Sequence, residues 1–491
     1  MKQLVLIAPE IFLSGLALVV LLGEAFFPSK SKAWISVGVV GLALAGIHQI
    51  VFFATGAYPG AAALGFAPTV SGGWVQYGTV FGMIAVDSLA AFFKLTIIAS
   101  IIMVLWLSSD YREFKGVPMG TYVALFLLAT VGMLFLVGSV DLLMAVIALE
   151  LLSICSFILT GFVLTRSSSV EGAIKFFLVG TFSAGILLFG ISYYYGYFGS
   201  TNIEPLLRMA AQHQGADLPL CFLIIFILAG LGFKLAMVPF HMWAPDAYEG
   251  APTPVTAFLS VAPKAAAVGF LLRFLANHDG LGITPVLAVL AALTMTVGNL
   301  GALAQTNMKR LLAYSSIAQV GYILVAIVAG GSLGTQAAMV YMFIYVFMNL
   351  GLFAGLVILS NQNSNDDVPT FAGLSFRSMG FALVIVMLAL SMTGIPPMGG
   401  FIGKFAVFAA VIQHPDLLWL GIVAVLNSVV SLYYYFRIVH QMFFREPAGN
   451  AAPIRLSPAL MSCLVAALGV TVLAGLLPNQ ILGWVRTILG S

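Results

Sequence analysis

The stretch Leu218-Pro-Leu-Cys-Phe-Leu-Ile-Ile-Phe-Ile-Leu-Ala-Gly230-Leu-Gly-Phe-Lys234-Leu-Ala-Met-Val-Pro239-Phe240 decides the fold. Its apolar run matches the ~20 helical residues that cross the hydrocarbon core of a bilayer. Yet it carries Lys234, with Gly230 four residues before it and Pro239 five after. A charge at the bilayer centre costs at least about 2.5–3.5 kcal/mol on insertion scales. Proline removes a backbone donor, which is tolerated at membrane depth only where protein or water re-satisfies the freed carbonyl. The stretch therefore reads as a membrane span, broken beside a buried cation and facing other protein.

The rest of the chain repeats the pattern. Of 491 residues 61% are hydrophobic and 8% charged, with a mean hydropathy of +1.09, whereas a soluble domain carries about 25% charged residues. The solvent for most of the chain is lipid. Cutting at clusters of Gly, Pro and charge gives about fourteen spans: 4–27, 34–53, 83–107, 119–137, 141–164, 170–198, 218–240, 254–276, 283–303, 311–329, 335–360, 381–412, 417–442 and 460–477. The predicted fold class is all-α, a polytopic membrane protein. Residues 201–214 read as an interfacial helix, and the N-terminal run as a retained first helix. A net charge of +3 is too small to imply a nucleic-acid partner. Cys155, Cys221 and Cys463 lie far apart within apolar runs and match no metal-ligand spacing, so they read as small core hydrophobes. No haem, iron–sulfur or flavin motif is present, so no cofactor is expected in this chain.

Basic residues set the topology. With the loop after the first span taken as loop one, odd loops and their helix ends hold Lys30, Lys32, Arg112, Lys115, Arg166, Lys309, Arg310, Arg377, Arg437, Arg445 and Arg455. Even loops, their helix ends and the two tails hold only Lys2, Arg208, Arg273 and Arg486. The positive-inside rule puts odd loops in the cytoplasm and both termini on the opposite, periplasmic side of a bacterial inner membrane.

The remaining basic residues, Lys94, Lys175, Lys234, Lys264 and Lys404, are all lysines within predicted spans, and no arginine is expected to lie deep. The partition matters because arginine stays charged, whereas a buried lysine can lose its proton. Burial disfavours the ammonium and a nearby carboxylate favours it; a lysine held between the two can load and unload a proton. The obvious carboxylate is Glu150, in Ala145-Val-Ile-Ala-Leu-Glu150, and Lys234 is its natural partner from another helix. A static salt bridge is the plain alternative for one such pair; several ionisable groups in one chain favour a relay. Lys404 follows Thr393-Gly-Ile-Pro-Pro-Met-Gly-Gly-Phe-Ile-Gly and, like Lys234, has a glycine four residues before it and proline nearby. Broken helices in matching positions of two halves are the mark of repeat-built transporters. The lysine offset, 404 − 234 = 170, maps Glu150 near Gln319, Lys175 onto Tyr345 and Lys264 onto Tyr434, which supports two repeats of about five helices, 119–278 and 283–445, with the seventh and twelfth spans broken. Lys264 follows Pro263 in mid-span and could bridge the halves. Lys175, five residues into its helix, is a further relay candidate that could instead snorkel to the interface. Lys94 is expected to pair with Asp87 or snorkel, His48 to be a hydrogen-bonded core histidine, and His241 to position its loop.

Two long motifs, Pro239-Phe-His-Met-Trp-Ala-Pro-Asp-Ala-Tyr-Glu-Gly-Ala-Pro-Thr-Pro-Val-Thr-Ala257 and Asn307-Met-Lys-Arg-Leu-Leu-Ala-Tyr-Ser-Ser-Ile-Ala-Gln319, resemble the antiporter-like subunits of respiratory complex I and related cation/proton antiporters. Ser260-Val-Ala-Pro-Lys264 and the lysine at 404, where the M type would have glutamate, resemble the N type. The resemblance implies that the two halves are inverted repeats. It implies a proton-translocating subunit of NADH:quinone oxidoreductase without a redox centre of its own. Glu150 and Lys234 would form the coupled pair, Lys264 the connecting site and Lys404 the site of the second half-channel. It also implies flavin and iron–sulfur clusters in partner subunits, an adjacent M-type subunit, a small K-type subunit and quinone used by the complex. The tenth and eleventh spans contain no histidine, so Tyr314, Ser316, Gln319 and Tyr345 would have to serve there. The alternatives are a subunit of a multi-subunit sodium/proton antiporter and a scaffold that only anchors a partner enzyme.

Overall fold

A computed structural model describes residues 2–28, 31–55, 69–71, 74–213, 215–362, 366–447, 454 and 457–489; Lys30 and Arg455, counted above among the basic loop residues, lie outside them. The apolar segments form helices in the expected order. α1 (Ala8–Phe26) and α2 (Ser31–Thr55) lead to a ribbon of three short antiparallel strands, β1 (Thr69–Ser71), β2 (Trp74–Val80) and β3 (Ile84–Asp87), ordered β1-β2-β3. Then come α3 (Ser88–Ser108), α4 (Met119–Gly138), α5 (Leu142–Thr160), α6 (Ser167–Phe198), the short α7 (Glu204–Ala211), α8 (Leu218–Leu235), α9 (Trp243–Gly250) and α10 (Thr253–Phe274). The second part holds α11 (Thr284–Leu303), α12 (Met308–Ala329), α13 (Gly331–Ser360), α14 (Leu374–Arg377), α15 (Met379–Thr393), α16 (Gly399–Ile412), α17 (Leu418–Phe444), α18 (Pro458–Leu476) and α19 (Pro478–Leu489). Among the described residues thirteen helices are long and apolar enough to cross a membrane, and the shorter α15 and α16 together fill the twelfth expected span. The chain is an α-helical polytopic membrane protein.

Three aspartates start helices. Asp87 accepts from Ala90 N at 2.8 Å, Asp141 from Leu143 N at 2.9 Å and Asp217 from Leu220 N at 2.9 Å. Each satisfies a backbone donor that a helix start leaves orphaned. This corrects the third expected span: it begins at Ser88 rather than at 83, because Ile84–Asp87 is strand and Asp87 caps the helix. The seventh span also ends early. α8 stops at Leu235, where Ala236 turns into the left-handed region (φ 54°), ahead of Pro239.

α10, α12 and α13 lie inside the bundle, while α6, α17 and α18 show most of their surface to the outside. Small residues permit the inner contacts: a Cβ at Gly321 would lie 2.4 Å from Met295, and one at Gly298 would lie 2.5 Å from Ala318 N. The amphipathic α19 returns to the ribbon side. Trp484 packs against Phe53, Phe92 and Phe343, and Ser88 donates to Ile488 O at 2.6 Å. Two basic residues expected near helix ends stand there, but buried within the protein. Arg273, in the last turn of α10, is locked to Asp87, the cap of α3, by bonds of 2.6 and 2.9 Å. Lys309, in the first turn of α12, is fully buried, with Asp366 at 3.0 Å and Ala251 O at 3.0 Å.

Candidate functional site

Lys234 stands in the last turn of α8. The carbonyls of a helix end carry partial negative charge, a favourable place for a cation. Trp243 Nε1 takes one of them, Phe233 O, at 2.9 Å and so ties the turn to α9. The ammonium has no hydrogen-bond partner among the described residues and lies 5.5 Å from the ring centres of Phe157, Phe176 and Phe233. Ring faces attract cations at that range. Glu150, half-buried on α5, lies within Coulomb range of Lys234, but no ion pair within 4.0 Å joins the two.

Lys264 sits in the middle of α10 beside Pro263. Proline at that position cannot donate to the carbonyl four residues earlier; that carbonyl, Leu259 O, instead receives the Tyr248 hydroxyl at 3.0 Å. One residue on, Ser260 O accepts from the Tyr345 hydroxyl at 3.1 Å, and Asn349 Nδ2 donates to Ser260 Oγ at 2.7 Å. Lys264 Nζ donates to Ser316 Oγ at 2.8 Å and to Ser316 O at 3.2 Å, which joins α10 to α12.

Lys404 lies on α16, past the break rather than before it as in α8. α15 ends with Gly394 at φ 89°, and the lysine stem passes so close that a Cβ there would lie 2.9 Å from Lys404 Cδ. Lys404 Nζ donates to Thr393 O at 3.0 Å and Ser428 Oγ at 3.0 Å, over the Tyr322 ring at 4.3 Å. Gln319 Nε2 donates to the neighbouring carbonyl, Met392 O, at 3.1 Å, and Gln319 Oε1 accepts from the Tyr341 hydroxyl. Ser315 bonds Tyr435, and Ser428 donates to Tyr322 at 3.3 Å. Tyr434 donates to Asn299 Oδ1 at 3.0 Å. A buried polar seam therefore runs through α10, α12, α13, α15, α16 and α17.

The three lysines are 5%, 0% and 2% exposed, so none turns to lipid. Of the groups expected to serve between Lys264 and Lys404, Ser316, Gln319 and Tyr345 are in the seam; Tyr314 is half-buried against Gly301 instead. Sequence reasoning missed Tyr322, Tyr341, Asn349, Ser428 and Tyr435. The usable signal was the pair of buried amides, Gln319 and Asn349, each inside an apolar span. Between Lys234 and Lys264 the filling is aromatic: Trp243 and Tyr248 meet edge-on at 6.1 Å.

Lys175 is not in the interior. Its side chain is 46% exposed and pairs with Glu171 at 2.7 Å and Asp246 at 2.9 Å. Arg310 joins the same acid at 2.7 Å and Glu249 at 2.8 Å, so α9 is clamped to α6 and α12. Partial burial would push the Asp246 carboxyl up, but the hydrogen bonds from Lys175 and Arg310 outweigh it and hold the group below its ordinary value. Lys94 is paired, but with Glu10 at 2.5 Å rather than with Asp87, which Arg273 occupies. Sequence reasoning passed over Glu10 as a buried acid. Among the described residues no three His, Cys, Asp or Glu side chains come together as a metal site.

Fold and site define a polytopic helical membrane protein of the antiporter-like class, with titratable lysines locked in its middle. The profile of the family described as NADH:quinone oxidoreductase/Mrp antiporter, transmembrane, matches residues 139–431. A subunit N of NADH-quinone oxidoreductase from Trichlorobacter lovleyi is 37% identical over 97% of this chain and 95% of its own length. One from Moorella thermoacetica is 41% identical over 82% and 85%. A chain of respiratory complex I from Thermus thermophilus, solved with bound aureothin, superposes with a TM-score of 0.79 at 30% identity, covering 97% of this chain and 98% of that one. The chain belongs to the NADH:quinone oxidoreductase/Mrp antiporter family.

Proposed function

We propose that the chain is a proton-translocating membrane subunit of an NADH:quinone oxidoreductase, in which quinone reduction elsewhere in the complex drives proton transfer along Glu150, Lys234, Lys264 and Lys404. The observation that carries this reading is the burial of three lysines in one interior, two of them hydrogen-bonded into the polar seam. At ~2.5–3.5 kcal/mol or more for each such charge, an idle set would be a standing cost.

The steps follow from the groups present. Glu150 favours the charged form of Lys234 without touching it. Shifting that carboxylate away makes the ammonium costlier, because ring faces are then its main support. The proton passes toward Lys264 and from there, by way of the hydroxyls and Gln319 of the seam, toward Lys404. Lys175, held at the rim, exchanges with the surface rather than crossing the interior. The resident repeats are 119–278 and 283–445, inverted about the membrane plane, with both termini on the periplasmic side. The neighbours are an M-type antiporter-like subunit and a small K-type subunit, and redox cofactors reside in other subunits of the complex.

In membrane vesicles, Lys234→Ala or Glu150→Gln at wild-type expression cuts NADH-driven proton pumping. Normal pumping by both variants refutes the relay. If the family's other activity, sodium/proton exchange, is the one this chain supports, the same variants abolish sodium-driven proton movement without NADH.

A further inference from the structure

Pro239 explains the end of α8 only in part. Proline cannot donate, but it stands five residues past Lys234, so the helix ladder could run on through the N–H of Val238. In a continuing helix that N–H donates to Lys234 O, four residues back. The chain takes another course. Ala236 adopts a left-handed backbone at φ 54°, which is unfavourable for a residue with a Cβ. Its N–H donates to Phe233 O at 3.0 Å, and Met237 N–H donates to Gly232 O at 2.8 Å. Val238 N–H then leaves α8 altogether and donates to Thr294 Oγ1 on α11 at 3.2 Å. The hydroxyl proton of Thr294 is already given to Leu290 O at 2.6 Å, so its oxygen meets Val238 as an acceptor. Both residues are buried, Thr294 completely. α11 is itself seated on α12, where Gly298 and Gly321 leave no room for a side chain. The acceptor that receives the broken end of α8 is thus fixed by the second part of the chain.

We propose that Thr294 is a positioning residue of the relay, holding the break after Lys234 and with it the carbonyl end that supports the ammonium. The role rests on the relay reading above. A buried N–H without an acceptor is costly. Deprived of Thr294, Val238 N–H has its ordinary helical partner, Lys234 O, and reaching it frees Ala236 from its left-handed backbone. That rewinding uses up a carbonyl whose partial negative charge favours the ammonium. A hydroxyl on α11 therefore sets how well a cation on α8 is supported. It also ties Lys234 to the helix pair whose other member, α12, carries Ser316 and Gln319 of the seam.

The test uses the assembled complex in proteoliposomes with Thr294→Val, which keeps the volume and loses the acceptor, and Thr294→Ser, which keeps the acceptor. NADH-driven pumping by Thr294→Val should fall about tenfold at neutral pH, the worth of one hydrogen bond, and recover about one pH unit lower. Thr294→Ser should follow the wild-type pH profile. In the isotope-labelled full chain in nanodiscs, solid-state NMR reads the backbone of Ala236 from its carbon chemical shifts. They should be left-handed in wild type and Thr294→Ser, and helical in Thr294→Val. A left-handed Ala236 in Thr294→Val overturns the proposal. So does an unchanged pH profile, a loss of pumping that lower pH does not restore, or a loss that Thr294→Ser shares. Thr294→Ala gives the same readings should the valine variant not fold. Normal pumping by Lys234→Ala sinks the relay reading instead, whatever Ala236 reports, so the two failures are told apart.

Discussion

Glu10 on α1 and Lys94 on α3 form an ion pair of 2.5 Å with side chains 0% and 2% exposed. His48 on α2 lies within Coulomb range of both, so three neighbouring helices each bring one titratable group to the same place. At an effective dielectric of ~20 the attraction is about 332/(20 × 2.5), or ~6.6 kcal/mol. Much of it is set against the desolvation of both ions, so the intact pair contributes little net stability. Removing one partner is a different matter, since the surviving charge keeps its desolvation and loses its attraction. Glu10→Ala or Lys94→Ala alone should therefore destabilise the protein by ~3–5 kcal/mol. Glu10→Leu combined with Lys94→Met, which restores volume without charge, should fall within ~1 kcal/mol of wild type. The measurement is equilibrium unfolding of the full chain in mixed micelles, followed by tryptophan fluorescence; Trp484 packs on Phe92 of α3 and reports the region. The reasoning is refuted if either single variant unfolds like wild type, or if the double variant loses the sum of the two single losses.

A methyl group at Gly400 would lie 1.8 Å from Ser391 O, so Gly400→Ala should force α16 off α15 and draw Lys404 from Thr393 O. An overpacking cost of ~1–3 kcal/mol and a loss of pumping in the assembled complex are expected; a fully active variant of normal stability would contradict the packing. Asp246, held below its ordinary value, gives stability that is present at neutral pH and lost as pH falls through that lowered value. Backbone hydrogen exchange in α9 should thus rise below about pH 3.9, the unperturbed aspartate value, and Asp246→Asn should show fast exchange already at pH 7.

Legibility in the sequence followed periodicity and cost. Span number and order were readable because ~20 apolar residues in a row have one cheap solution in lipid. The lysines at 234, 264 and 404 were readable because a charge within such a run needs a protein partner. What could not be read was which partner. Asp87 sits seven residues from Lys94 but pairs with Arg273, 186 positions away, while Lys94 takes Glu10. Lys309 was readable as standing at a helix end, but not as buried there: the chain from α13 to α14 folds Asp366 over it. Local pattern carries no information about such closures. The early end of α8 was foreshadowed by Pro239, but the residue that turns the chain is Ala236, whose left-handed backbone no propensity would suggest.

The three central lysines differ in what holds them, and the difference bears on where coupling would start. Lys264 and Lys404 each have two fixed oxygen acceptors, one a carbonyl and one a serine hydroxyl. Such acceptors stabilise the ammonium whatever happens elsewhere in the complex, so the charge state of these two responds weakly to a distant event. Lys234 has ring faces and a helix end instead, with no hydrogen bond among the described residues. The carboxylate near it among the described residues, Glu150, sits on α5, whose Ile147, Ile154 and Ile158 are exposed to whatever packs there. A small displacement of Glu150 by a neighbour therefore changes a larger share of the support at Lys234 than at either other lysine. On the proposed relay, Lys234 is the gate and the hydrogen-bonded pair beyond it the receiver. Giving Lys234 a fixed acceptor, by Phe176→Tyr or Phe157→Tyr, would be expected to blunt coupling while leaving the seam between Lys264 and Lys404 intact.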